Sequence, residues 1–222
     1  SVTKAQYAQT LAATLAYYLH LQRDAVGVMT CGAQSSEFLP PRHRHGQLQQ
    51  LMHLLEQESE GRESNLAEGL TRLAGLSRRR GLVVLISDLL TDPESLFQPL
   101  GYLRGRGHQV LLLRVLERGE IDLQLPVSSM VRDMETGREL YVDPEHARQD
   151  YRRRFQTHEQ QLIDICHRRG ARLFTVTIDQ PLDLVLLELI STTGRMTGSR
   201  PHAERTNRQT AVSTASTRAR RP

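Results

Sequence analysis

Apolar residues at Ala8, Leu11, Ala12, Leu15 and Leu19 recur three and four positions apart. That is the spacing of a helix with one buried face, and it predicts a first helix from Ala5 to Leu19. The short β-branched run DAVGVMTC, opened by Asp24, predicts a strand. A loop carrying Pro40, Pro41, His43 and His45 should follow. Two more helices are then expected, one with Leu48, Leu51, Met52 and Leu55 inward and one with Leu66, Leu70 and Leu73 inward.

The stretch GLVVLISDLLTDPE, Gly81 to Glu94, changes the pattern. Leu82 to Ile86 is continuously apolar, as in a strand covered on both faces, and predicts a central parallel strand that ends on the carboxylate of Asp88. Asp92 and Pro93 form a helix start, because the carboxylate accepts from free backbone N–H groups and proline needs none. Leu96, Leu100 and Leu103 mark that helix, and GHQVLLLRVL is another buried strand. Strands that alternate with helices point to parallel β-α-β units. SSMVRDMETGRELYVD, with Gly137 at its turn, predicts an inserted β-hairpin. Asp143 and Pro144 start a long helix with Tyr151, Phe155, Leu162 and Ile165 inward, which stops at Gly170. ARLFTVTID and QPLDLVLLELI are the last strand and the last helix. The fold class is therefore α/β, a doubly wound and mostly parallel sheet with an inserted hairpin. One domain spans 1–194, and a basic tail of low apolar content, 195–222, is expected to be disordered.

Composition narrows the functional classes. Hydrophobic residues make up 38% of the 222, and no apolar run approaches the ~20 residues needed to span a bilayer. The two cysteines, Cys31 and Cys166, lie too far apart for a zinc ribbon and suggest no disulfide framework. With no signal-peptide pattern at the N-terminus, a cytoplasmic setting is expected. The formal charge is +4, yet Arg195–Pro222 holds seven arginines and one glutamate, a local +6, which leaves 4 − 6 = −2 on the body. A folded nucleic-acid binder clusters its cations on the domain itself, so nucleic acid is not expected as a partner.

Several phrases, LAATLAYYLHLQRDAVGVMT, SNLAEGL, RRRGLVVLISDLL, LRGRGHQVLLLRVL, RDMETGRELYVDP and TIDQPLDLVLLELI, together resemble the bacterial domain of unknown function 58 family. The resemblance runs from Thr3 to about Ser191 and implies a fold similar to the von Willebrand factor A domain. It also implies a partner, a MoxR-type AAA+ ATPase, whose genes commonly neighbour those of the family. Domains of this kind hold Mg²⁺ above the carboxyl ends of the strands with an Asp-x-Ser-x-Ser loop, a Thr and an Asp. Carried over by position, the Asp corresponds to Asp88 and the Thr to Ser64, with Asn65 and Ser87 as supporting groups. No Asp-x-Ser-x-Ser occurs in the chain, and the strand that would carry it would fall just before Ser1. The resemblance therefore implies a missing first central strand and two unpaired strand edges; a fragment of a longer protein is the expected explanation, and a degenerate gene product is the alternative. Two protein oxygens would leave Mg²⁺ mostly hydrated and weakly held, so a stable ion is not expected.

Other candidates have ordinary readings. His43 and His45 sit on a loop with no cysteine or paired carboxylate, and His158 and Cys166 have no evident activating partner. Asp179 reads as a cap for the last helix, and Arg78–Arg80 as solvated charge at a helix end. The functional expectation is a non-enzymatic protein-interaction module that docks a MoxR-type AAA+ ATPase or its client through Ser64, Asn65, Ser87 and Asp88. The alternative is a Mg²⁺-dependent hydrolase using Asp88, which lacks a second clustered carboxylate.

Overall fold

A computed structural model describes residues 2–31, 37–57, 65–121, 130–132, 139–141 and 144–194. In chain order the elements are helix α1 (Lys4–Leu21), strands β1 (Val26–Met29) and β2 (Phe38–Arg42), and helices α2 (Gln47–Glu56) and α3 (Leu66–Leu76). Strand β3 (Leu82–Ser87) leads through a 3-10 turn, Pro93–Leu96, into α4 (Phe97–Gly105), then β4 (Gln109–Leu116) and the short α5 (Arg118–Ile121). Strands β5 (Met130–Arg132) and β6 (Glu139–Tyr141), the long α6 (Pro144–Arg169), β7 (Arg172–Thr177) and α7 (Leu182–Gly194) complete it. The tail expected beyond Gly194, the turn around Gly137 and the predicted cap Asp143 lie outside the described residues.

The local signals act where the chain places them. At the start of α1, Thr3 Oγ1 accepts from the Gln6 N–H at 3.2 Å while Gln6 Oε1 accepts from the Thr3 N–H at 3.0 Å. This reciprocal box fixes the first turn of α1. Asp92 Oδ1 accepts from the Glu94 N–H at 3.2 Å, with Pro93 at the first position of the 3-10 turn. Gly170, at φ +64°, ends α6 in a backbone conformation that costs a side-chain-bearing residue about 1 kcal/mol.

Strands β3, β4 and β7 form a parallel sheet in that order, with Leu82 opposite Gln109 and Leu111 opposite Arg172. Alternate side chains feed two apolar layers. Val83, Leu85, Val110 and Leu112 pack toward α3, α4 and α6, while Val84, Ile86, Leu111, Leu113 and Val115 pack toward α1 and α7. Helices therefore cover both faces, the arrangement that requires strands apolar on both sides.

Two expectations are corrected. The continuously apolar β3 is not central among the described strands: it is laddered to β4 alone, and all six of its residues are half-buried. β4 is the middle strand, with Val110–Leu116 buried. A both-face apolar pattern reports helices above and below but carries no information about neighbours in the plane. Second, Pro40 and Pro41 lie in a strand, not a loop. β2 is an edge strand, where a missing N–H is tolerated. The fully buried Gln47 bridges the irregular register there, its Nε2 donating to the carbonyls of Val26 and Pro40 at 2.9 Å each. Gly27 is required opposite them, because a Cβ would lie 2.5 Å from the Leu39 carbonyl oxygen.

Candidate functional site at the carboxyl edge of the sheet

β3 ends in Ser87, and the chain then makes a tight loop built from its own side chains. Ser87 Oγ accepts from the Leu89 N–H at 3.1 Å, and Asp88 Oδ1 accepts from the Leu90 N–H at 3.2 Å. These bonds hold Leu89 at φ +54°. A leucine there costs about 1 kcal/mol, which its complete burial against α3 and α4 offsets. The same geometry turns Leu90 outward, 53% exposed, beside the half-exposed carboxylate of Asp88.

The second oxygen of Asp88 faces the N-terminus of α1, where Lys4 Nζ lies 3.4 Å away. Lys4 also donates to Glu120 Oε1 on α5, and Glu120 Oε2 accepts from the Glu117 N–H at 2.9 Å. One ammonium thus links two carboxylates that are 32 positions apart in sequence. Burial pulls the Lys4 pKa down, but the hydrogen bond and charge of Glu120, with the charge of Asp88, outweigh it and leave Lys4 above its ordinary value. Lys4 therefore stays charged.

Beneath this surface lies Arg114, the one charged residue of β4 and fully buried. Its Nε donates to the Asp88 carbonyl at 3.4 Å, Nη1 lies 3.5 Å from Glu159 on α6, and its plane sits 4.7 Å over the Phe155 ring. Burial lowers its pKa, and Glu159, Asp88 and Glu120 oppose that shift. Neither terminal nitrogen has a hydrogen-bond partner among the described residues. The buried charge is stabilised instead by the aromatic face and the nearby carboxylates. Through the Asp88 carbonyl, Arg114 braces the loop that carries Asp88 and Leu90.

Ser87 and Asp88 therefore share this site, and the Ser87 hydroxyl is spent on shaping it. Asn65 caps α3: its Oδ1 accepts from the Glu68 N–H at 3.0 Å, so its bonds run to Glu68 and not to Asp88. Ser64 lies outside the described residues. The donors described around Asp88 do not fit a divalent ion, because the Lys4 ammonium already stands between its carboxylate and Glu120. No group of three or more His, Cys, Asp or Glu side chains that could hold a metal occurs among the described residues. Elsewhere, the His43 ring lies 4.7 Å from that of His20, tilted by 37°, and His158 Nε2 lies 2.9 Å from the Thr91 carbonyl. Burial pushes the Cys166 thiol up to about 11, which removes it as a nucleophile at neutral pH. Asp179 pairs with Arg118 at 2.8 Å; a bond from Thr177 and that guanidinium hold its carboxyl below the usual value. Sequence reading missed Lys4, Arg114 and Glu120. Only Arg114 left a signal, as the single charge in the apolar run VLLLRVL.

A family model described as "Protein of unknown function DUF58" matches residues 1–161. The chain belongs to the DUF58 family. DUF58 relatives include an uncharacterised protein of Mycobacterium tuberculosis (strain ATCC 25618 / H37Rv), 28% identical over 163 residues, which cover 71% of this chain and 50% of that protein. An uncharacterised protein of Mycobacterium avium is 31% identical over 122 residues, 54% of this chain and 70% of its own length. The chain spans about half the length of the first curated relatives it matches. Among solved structures, the conserved hypothetical protein BatB from Bacteroides thetaiotaomicron superposes with a TM-score of 0.52 at 16% identity, over 86% of this chain and 88% of that one. At that identity the likeness is one of fold alone. Among the described residues, no helix of this DUF58 chain is long and apolar enough to cross a membrane.

Proposed function

We propose that this DUF58 chain is a von Willebrand factor A-like, non-enzymatic docking module whose contact surface is the carboxyl edge of its parallel sheet. The observation that carries this reading is the loop Ser87–Leu90. It holds a leucine at positive φ, buries that residue, and thereby displays Leu90 next to the Lys4–Asp88–Glu120 charges. Backbone strain held in place by packing is concentrated at functional positions in proteins, and an exposed apolar residue ringed by charge is the composition of a contact centre with a polar rim. Ligands of open α/β sheets also gather beyond the carboxyl ends of the strands. The partner proposed from the family resemblance is a MoxR-type AAA+ ATPase or its client.

The test is co-purification of the chain with the MoxR-type ATPase of the same genome, comparing wild type with Leu90→Asp and with Asp88→Ala. Loss of the complex in Leu90→Asp, with an unchanged melting midpoint, is expected. Retention of full affinity in both variants would sink the surface assignment. A Mg²⁺-dependent phosphatase or nuclease activity that disappears in Asp88→Ala would replace docking with hydrolysis.

A further inference from the structure

Positive charge collects at the amino edge of the parallel sheet, the end opposite the carboxyl-edge site. Three connections lie side by side there: residues 77–81 enter β3, 104–108 enter β4 and 167–172 enter β7. Together they hold eight arginines and no Asp, Glu or Lys. Arg104 donates to the His108 carbonyl at 2.9 Å, Arg168 pairs with Glu94 at 3.3 Å, and the Arg169 guanidinium lies 3.3 Å from the centre of the Phe97 ring. The other five, Arg78, Arg79, Arg80, Arg106 and Arg172, are exposed, and their side chains have no ion pair or hydrogen bond among the described residues.

The loops are tight and interlocked. Gly107 at φ +83° and Gly170 at φ +64° close the ends of α4 and α6, with the His108 N–H donating to the Leu103 carbonyl at 3.1 Å and the Ala171 N–H to the Cys166 carbonyl at 2.8 Å. The Gln109 N–H donates to the Gly81 carbonyl at 2.9 Å, which ties the first loop to the second. Arg80 lies across Gly107, where a Cβ would be 3.0 Å from its Cδ, and Arg104 lies across Gly170, where a Cβ would be 3.3 Å from its Nη2. A Cβ at Gly81 or Gly105 would meet nothing within 4 Å, so the floor between the arginines is open.

Helix dipoles account for part of this charge but not for the unpaired five. A cation gains from a helix C-terminus only within the last turn. Arg104, Arg168 and Arg169 occupy last turns, whereas the five stand at or beyond the ends of α3, α4 and α6. Like charges gathered without counter-charge destabilise the compact state, so the row calls for an anion. Its shape narrows the class. Adjacent strands are about 4.8 Å apart, so the loops of three strands set the cations along a line of about 10 Å, with side-chain reach beyond it. A line of guanidiniums fits a linear run of carboxylates, because each guanidinium can grip one carboxylate through two N–H groups. The loops carry no Phe, Tyr or Trp on which bases would stack and no exposed apolar side chain to enter a bilayer.

We propose that the amino edge of the sheet docks an acidic segment of a partner polypeptide, an extended run of about four to six Asp or Glu residues at about 3.3 Å each. The surface lies at the other end of the strands from the Ser87–Leu90 loop, so this inference and the docking reading stand or fall separately.

The probe is a fluorescent peptide of six glutamates flanked by glycine and serine, titrated into the full chain at about 0.15 M salt. Saturable binding is expected, and Arg79→Glu with Arg106→Glu should weaken it at least about tenfold, equivalent to about 1.4 kcal/mol, without lowering the melting midpoint. The same change of charge placed in the tail, Arg218→Glu with Arg220→Glu, should leave the affinity unchanged. Phenylglyoxal labelling of the wild type, read by mass spectrometry, should show Arg79, Arg106 and Arg172 protected by the peptide, a readout that holds even if the edge variant folds poorly. Absence of saturable binding, an equal loss in the tail variant, or protection confined to the tail would each overturn the proposal. So would tighter, edge-dependent binding of phosphatidylserine vesicles or of a DNA duplex, which would assign the row to a lipid surface or to nucleic acid.

Discussion

Replacing Lys4 with methionine keeps the alkyl stem but removes the ammonium that links Asp88 to Glu120. At the 3.4 Å separation from Asp88, Coulomb attraction in a solvent-like dielectric is about 1 kcal/mol. The side chains are 30% and 40% exposed, so salt and lost side-chain freedom reduce that to about 0.5 kcal/mol. The Glu120 contact is closer and less exposed, and contributes roughly 1 kcal/mol. The variant should therefore lose about 1–2 kcal/mol, and its two carboxylates would face each other without a cation. Urea unfolding at neutral pH measures the loss. A double-mutant cycle with Asp88→Asn isolates the pair, with an expected coupling of about 0.5 kcal/mol. A second readout follows from the vacated charge: millimolar Mn²⁺ should raise the unfolding midpoint of Lys4→Met but not that of the wild type. A coupling energy of zero together with identical Mn²⁺ responses would refute the placement of the ammonium between the carboxylates.

Two further outcomes are expected. Because Lys4 has a folded pKa above its ordinary 10.5, its stabilising contribution is fully present below 10.5 and is lost as pH rises through the higher folded value. The difference in unfolding free energy between wild type and Lys4→Met should accordingly stay constant from neutral pH to about 10 and shrink above it. Leu112→Ala, at a fully buried position on the middle strand, should cost about 2–5 kcal/mol in urea unfolding with an unchanged m-value.

Periodicity in the sequence was enough to locate most elements, because helix and strand faces are written locally. Leu96, Leu100 and Leu103 are all fully buried, and Asp92 caps where its spacing says it should. The same local code could not order the strands. β3 and β4 are both apolar on both faces, and only the hydrogen-bond ladder shows that β4 lies in the middle and β3 at the edge among the described strands. Pro40 and Pro41 signalled a loop because their tolerance depends on an edge position and on Gln47, several residues further along.

The site shows the same division. That a carboxylate follows the strand, at Asp88, was legible from the apolar run that stops at Ile86. What that carboxylate faces was not. Lys4 and Glu120 are 84 and 116 positions from their partners in these contacts, and nothing in their local sequence marks them. Sequence fixes which residues can be buried or exposed, since that depends on each residue and its near neighbours. Ion pairs, edges and cavities are relations between distant segments, and only the packed chain brings them into being.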